Sequence, residues 1–298
     1  MTVRPLIRVA LRMYPFYTGG GALAHAKLPR RLTRDRELVE TTLRGGTRIL
    51  AYVDDPLGRT VYYTGDYDPR VSWVLRRVLR PGDCLVDIGA NMGALALLGA
   101  ALVGPRGVVH AFEPQPALGE SMRRSAALNG FTHMHVHEVA LSERDGTLEL
   151  HVDEGMTATA SLEDGQVQGD RTISVRVRRT EAMLRELGLP AIRVLKIDVE
   201  RHEEAVLRGT GNFLRENTPE VVLFESLDEP TPFRQRGAVR LIEELGYDLF
   251  QIPKPLVRMR LLPVGASGPV NPRYYDYVGV RTDEAGADAR RRLGVEVA

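Results

Sequence analysis

One cysteine, Cys84, is all the thiol chemistry this chain carries. An internal disulfide and a cysteine-ligated metal cluster are thereby excluded, and a reducing, cytoplasmic setting is the expectation. An excess of one charge sign is also missing. The 40 Lys and Arg against 39 Asp and Glu leave a formal net charge of +1, so no global field draws the protein to nucleic acid, and no such partner is expected. No apolar run approaches the roughly 18 to 20 residues of a membrane-spanning helix, so no integral membrane segment is expected. The N-terminus carries Arg4, Arg8 and Arg12 but lacks the continuous apolar core and small-residue cleavage site of a secretion signal. Internal repeats and long low-complexity tracts are absent too. What is present is ordinary globular material: 298 residues, 43% hydrophobic and 27% charged, enough for one large domain or two modest ones.

Residues 1 to about 45 read as helical and irregular, with Arg30, Arg31, Arg34 and Arg36 in a basic stretch. That stretch suits a solvated helix packed on the main domain, or, on a sharper reading, a lid or a membrane-surface contact. Gly19-Gly20-Gly21 is not followed by the Gly-Lys-Ser/Thr of a phosphate loop and reads as a flexible joint. Thr47–Val53 and Thr60–Thr64 read as short strands joined by a turn at Asp54, Asp55, Pro56 and Gly58. Helical spacing then covers Val71–Leu79.

From Cys84 onward strands and helices alternate. The apolar runs at 84–88, 107–112, 134–139, 194–197, 220–224, 247–252 and 274–280 read as strands, and 92–102, 116–128, 202–208 and 233–245 as helices. Repeated strand–helix units demand a mostly parallel sheet with helices on both faces. The long loop before the last strand suggests an antiparallel finish. Thr147–Val152 and Thr172–Val177 look like an inserted hairpin with a mobile tip at 153–170. Residues 282–298 read as a partly ordered tail whose Arg290-Arg291-Arg292 run is solvated. The expected organisation is an N-terminal helical and hairpin extension over 1–80 serving as lid and acceptor side, a core over 81–281, and the tail.

The chemistry concentrates at Asp87-Ile88-Gly89-Ala90-Asn91-Met92-Gly93, a tight loop between strand and helix, with Glu113 closing the next strand. A dinucleotide fingerprint needs a glycine where Asn91 stands, because the backbone must approach the pyrophosphate there. Asp87 would also repel that anion. Near S-adenosylmethionine the sign suits, since that ligand carries an ammonium and a sulfonium. Glu113 then fits the ribose diol, as a carboxylate can accept two hydrogen bonds from it. A nicotinamide enzyme and a purely structural glycine turn are the competing readings.

Together with Lys196-Ile197-Asp198-Val199-Glu200, Glu203 and Leu207-Arg208-Gly209, these motifs resemble the FkbM-type methyltransferases over about residues 80 to 226. Asp66-Tyr67-Asp68-Pro69 is similar to the acidic, aromatic segment that often precedes the core in that family. The resemblance implies a class I methyltransferase (Rossmann-like) fold with a seven-stranded sheet. It implies S-adenosylmethionine as donor and O-methylation of a hydroxyl on a sugar or natural-product scaffold. The implied donor site comprises Asp87, Gly89, Asn91, Gly93, Glu113, Pro114, Glu138, Ala140 and Asp198, with Tyr67, Asp68, Glu225 and Asp228 on the acceptor side. One departure stands out: Arg201 occupies a position where the family commonly has glycine.

An aliphatic hydroxyl is too weakly acidic to lose its proton in advance, so a nearby base is useful. Asp198, Glu200 and His202 compete for that role. Helix capping for the two acids and backbone hydrogen bonding for His202 are the plain alternatives. His133, His135 and His137 alternate along one strand, but nothing completes a zinc site with them, and no metal is expected. The partner is then a small-molecule or glycan acceptor, with a homodimer left open. N-methylation of an amine or peptide is the alternative, as is a non-catalytic partner subunit.

Overall fold

The computed structural model describes residues 3–33, 37–153, 156–161, 171–227, 231–265 and 270–295. Three short helices come first: α1 (Val3–Arg12), α2 (Gly20–Ala24) and α3 (Lys27–Leu32). An antiparallel hairpin follows, β1 (Leu38–Thr42) with β2 (Arg48–Tyr52), then α4 (Pro56–Thr64) and α5 (Pro69–Val78). Both α4 and α5 open on an aspartate with proline as the next residue. Asp55 accepts from Leu57 N and Gly58 N at 2.8 and 3.1 Å, and Asp68 from Arg70 N and Val71 N at 2.7 and 3.3 Å.

Three expectations are corrected here. Thr60–Thr64 is the end of a helix, not a strand, because Asp55-Pro56 is a helix start rather than a hairpin turn. Gly20 and Gly21 lie in α2 instead of forming a flexible joint. The irregular stretch before residue 45 contains β1, which pairs with β2. Gly58 owes its place to close approach: a Cβ there would lie 2.0 Å from the Tyr52 carbonyl oxygen.

The alternating region follows as β3 (Cys84–Ile88), α6 (Ala94–Val103), β4 (Val108–Phe112), α7 (Pro116–Leu128) and β5 (Met134–His137). The insertion comprises β6 (Ala140–Ser142), β7 (Gly146–Asp153), β8 (Met156–Ser161), β9 (Arg171–Arg179) and α8 (Thr180–Glu186). The chain then returns through β10 (Ile192–Ile197), α9 (Glu203–Arg208), α10 (Phe213–Glu216), β11 (Val221–Glu225), α11 (Gly237–Glu244), β12 (Tyr247–Gln251), β13 (Leu262–Pro263), β14 (Asp276–Arg281) and α12 (Ala287–Leu293).

The main sheet has the order β5-β4-β3-β10-β11-β14-β12-β13. It is parallel from β5 to β11, and β14 runs antiparallel between β11 and β12. The expected seven strands with an antiparallel last one are therefore present, and the two-residue β13 adds an eighth at the edge. All residues of β3 and β10 are buried, as strands covered on both faces must be. Alternation along β3 feeds two cores: Leu85 packs with α6 and α7, while Cys84, Val86 and Ile88 pack with α9 and α11. Strand order reverses between β3 and β10, so the crevice beyond their carboxyl ends is the natural ligand position.

The insertion is a second sheet, β6-β9-β7-β8, rather than a plain hairpin, with β6 parallel to β9 and β7 antiparallel to it. Of the tip expected at 153–170, residues 154–155 and 162–170 lie outside the described residues. The expected tail is another correction. Ala289 and Leu293 of α12 are buried in the core, and Asp288 binds Arg80 and Arg193, each at 2.6 Å, with Arg292 at 3.3 Å.

If Asp55 starts α4 as described, Asp55→Ala will lower the unfolding free energy by about 1 to 2 kcal/mol and Asp55→Asn by much less. Urea denaturation followed by circular dichroism measures both; equal losses would show that the cap is not the source.

Candidate active site

The cleft at the reversal point holds about 850 Å³ of open space counted out to its mouth, solvent included. Its floor is the loop after β3. Gly89, Asn91 and Gly93 all adopt positive φ, at 78°, 53° and 80°. Gly89 has no alternative: a Cβ there would sit 1.8 Å from the Asp198 carbonyl oxygen. The loop is tied to both neighbouring strands, since Gly89 N and Ala90 N donate to Phe112 O at 3.0 and 2.9 Å and Asp198 N donates to Ile88 O at 3.0 Å.

Glu113 is buried in the cleft wall beside Pro114 and Gln115. Asn91 N donates to its Oε2 at 2.9 Å and Gln115 N to its Oε1 at 3.0 Å. Burial outweighs these donors and pushes its carboxyl up to about 7. Each oxygen keeps a second lone pair for a hydroxyl donor. Val139, Ala140, Leu141 and Leu150, from and around the second sheet, form the apolar wall.

Asp87 lies one step behind the floor, fully buried, opposite Lys196 in the strand register. Lys196 Nζ is 3.0 Å from Asp87 Oδ1, 3.4 Å from Asp198 Oδ2 and 3.2 Å from Gly89 O. Burial works against the lysine charge, but the two carboxylates facing it prevail and hold Lys196 protonated. Both Asp87 oxygens are buried without a well-aligned hydrogen bond.

Beyond β10 and β11, Asp198, Glu200 and Glu225 each bring an oxygen within 4.8 Å of the others. That spacing suits carboxylates sharing a proton and also the oxygen set of a hard cation. Burial and the Asp198 charge push Glu200 up to about 7. Burial, then Asp198, Glu200 and Asp276, push Glu225 up to about 9. His202 Nε2 stands 3.0 Å from Ser142 Oγ, and burial lowers its pKa. Tyr67 reaches the cleft from the segment before α5.

The profile of the FkbM methyltransferase domain matches residues 87–249, more than half of the chain. The chain belongs to the FkbM methyltransferase family. It is 31% identical over 159 residues to the 31-O-demethyl-FK506 methyltransferase FkbM of Streptomyces tacrolimicus, covering 44% of this chain and 60% of that protein. It is 28% identical over 144 residues to the 2-O-methyltransferase NoeI of Sinorhizobium fredii, covering 44% of this chain and 58% of that protein. The chain thus spans somewhat over half the length of these curated relatives. Among solved structures, the FkbM methyltransferase of Methylobacillus flagellatus aligns with a TM-score of 0.40 at 16% identity, over 69% of this chain and 49% of that one.

As an FkbM-family methyltransferase the protein uses S-adenosylmethionine, and the cleft fits that donor. Of its ionisable lining residues, Glu113, Asp198 and Glu200 are acids and only Lys196 and His202 can carry positive charge, which suits a cationic ligand. The resemblance to a class I, Rossmann-like methyltransferase is matched by the strand order described above.

The fold brings Tyr67, Gly89, Asn91, Glu113, Pro114, Ala140, Asp198, Glu200 and His202 into one cleft. Other expected site residues stand elsewhere. Glu138 turns to Arg123, 2.6 Å away. Gly93 lies behind the wall against Met122, and Asp68 caps α5 and pairs with Arg70. Glu225 borders an adjoining smaller cavity with Lys196, Asp198 and Asp276, and Asp228 lies outside the described residues. Lys196, read only as part of its motif, and Ser142, not singled out at all, take places that sequence alone did not assign; a lysine following the apolar pair Val194-Leu195 was the available signal for the first. The histidines are regrouped as well. His133 bonds to Ala100 O at 2.9 Å, while His110 stacks on His135 and His137, with Nδ1 3.0 Å from His137 Nε2.

Lys196→Met leaves Asp87 buried without a counter-charge and is expected to cost about 3 to 5 kcal/mol of stability at pH 7.5. Asp87 can escape that penalty by protonation, so the deficit should shrink as pH is lowered. Chemical denaturation of wild type and variant at pH 7.5 and 5.5 tests this; a deficit independent of pH would place the cost elsewhere.

Proposed function

We propose that the protein O-methylates an alcohol on a small molecule or glycan, with Glu200 accepting the hydroxyl proton. The observation that carries this reading is the group of Asp198, Glu200 and Glu225 at the strand ends beside the donor cleft. A general base works best when its pKa lies near the operating pH, and Glu200 is pushed up to about 7. Asp198 keeps the region negative, which favours proton uptake by its neighbour. Glu225, raised further, retains a proton at neutral pH and can donate a hydrogen bond to the acceptor.

Bound in the cleft, the sulfonium ligand supplies an already activated methyl group. The chain's own residues then have three tasks. Glu113 and the backbone around Asn91 hold the ribose side. The apolar wall at Val139 to Leu141 excludes water from the transfer position. Glu200 removes the proton as the acceptor oxygen attacks. His202, neutral because burial lowers its pKa and set against Ser142, positions the loop that carries Glu200. The relatives whose names specify 2-O-methylation and 31-O-demethyl-FK506 methylation support oxygen as the acceptor atom.

Titration calorimetry with S-adenosylhomocysteine should show Glu113→Ala weakening binding by about tenfold or more, the loss of charge-assisted hydrogen bonds to a diol. Unchanged affinity would remove Glu113 from the donor site. Turnover on a panel of hydroxylated natural products and glycans should rise with pH through about 7, as a base must lose its proton to act. Glu200→Gln should reduce kcat by about 100-fold or more and abolish that acidic limb. An intact limb in the variant would assign the base to another group, and methylation of amines alone would overturn the oxygen reading.

A further inference from the structure

The N-terminal helix α1 presents its faces in an unusual arrangement. Its arginines point inward: Arg4 and Arg8 lie over the Tyr62 ring at 4.8 and 4.9 Å, Arg8 and Arg12 donate to Thr41, and Arg4 pairs with Glu37. Ile7 and Leu11 pack against the small core around Tyr62 and Tyr63. Leu6, Val9 and Met13 are left facing solvent, 60%, 58% and 77% exposed. Their spacing of three and four residues places them on one face.

This face is not isolated. Among the described residues, every large hydrophobic side chain that is exposed, except Leu148, lies within residues 3–33 or 254–263. The two segments touch, through Tyr17 N to Leu256 O at 3.1 Å and Thr18 Oγ1 to Pro255 O at 3.1 Å. Leu256 and Val257 at that junction are 54% and 68% exposed.

The charge pattern selects the occupant. Residues 3–33 contain Arg4, Arg8, Arg12, Lys27, Arg30 and Arg31 and not one acid, in a chain whose overall net charge is +1. Residues 249–265 likewise contain Lys254, Arg258 and Arg260 and no acid. Lys27, Arg30, Arg31, Lys254, Arg258 and Arg260 are all exposed. A second copy of this chain would have to bring these cationic rims together. An anionic bilayer instead offers apolar depth for Leu6, Val9 and Met13 and phosphate for the surrounding cations. We propose that α1 and the 254–258 loop form a peripheral docking surface for an anionic lipid membrane. No helix among the described residues is long and apolar enough to cross one, so the contact lies in the interface plane.

The test is co-sedimentation of the full chain with vesicles of phosphatidylcholine alone and with about one-third phosphatidylglycerol, at low and high salt. The expected result is binding to the anionic vesicles only, weakened at least tenfold by the triple variant Leu6→Gln, Val9→Gln, Met13→Gln and separately by Arg30→Glu with Arg31→Glu. Unaltered thermal melting and unaltered S-adenosylhomocysteine binding in the variants would show that they fold. Equal binding to both vesicles, no binding to either, or full binding by the variants would overturn the proposal. So would a concentration-dependent dimer, seen by sedimentation velocity, that the triple variant abolishes.

Discussion

Lys196 is a full positive charge in the middle of a sheet, on a strand buried along its whole length. Such a charge survives only because Asp87 and Asp198 sit on either side of it. The arrangement does more than tolerate the charge. Asp87 is opposite Lys196 in the pairing of β3 with β10, so a slip of one residue would separate them and leave both buried and unpaired. The ion pair thereby fixes the register at the point where strand order reverses. It also sets the height of the two loops that form the cleft floor, because Lys196 Nζ holds Gly89 O and Asp198 N holds Ile88 O. Gly89 can then approach Asp198 so closely that no side chain fits between them.

From this anchor the site divides into two electrostatic halves. On the proposed donor side Glu113 is held by Asn91 N from the loop it faces and by Gln115 N from its own segment. On the other side Asp198, Glu200 and Glu225 crowd one another, with Lys196 Nζ 3.4 Å from Asp198 Oδ2. Burial, and after it repulsion within that group, raises Glu200 and Glu225 far above an ordinary carboxylate. Lys196 opposes the burial that raises Asp87 and also pulls Glu200 down, without offsetting burial at either.

Most of this was legible in the sequence wherever a short-range rule governs. Strand 84–88 and helix 116–128 coincide with the structure to the residue, because apolar continuity with a turn at each end leaves little choice. The glycine loop, Glu113 and the Lys196 to Glu200 motif could be placed at strand ends without any structure, and so could the candidates they carry. The misses have physical causes. Asp-Pro serves turns and helix starts equally, and only the caps at Leu57 N and Gly58 N decide for α4. The last helix, α12, looked solvated because its three arginines dominate its composition, yet Asp288 and the buried Leu293 bind it to the core. Glu138 carried the right residue type at a strand end, but Arg123 on α7 lies within reach and takes it. Pairings between separate elements of that kind leave no local signature.

Arg201 joins these strands of argument. Glu200 and Arg201 are consecutive left-handed residues, with φ of 51° and 75°, and each non-glycine residue in that region costs about 1 kcal/mol or more. A glycine, which the family commonly has at position 201, would relieve part of that cost. The conformation persists because its flanks are over-determined: Glu203 Oε1 accepts from Val199 N at 2.9 Å, and His202 N donates to Val199 O at 3.3 Å. The turn is therefore closed by its neighbours and not by the residue at its apex. Its consequence is to aim Glu200 back toward Asp198 and Glu225, where an extended backbone would carry it away along the strand. Arginine at this position leaves the aim intact and adds a cation beside Glu200, which lowers its pKa against the pull of burial and Asp198. With glycine at position 201 the carboxylate would sit higher still, so arginine there moves Glu200 toward ionisation at neutral pH, which the proposed role as base requires.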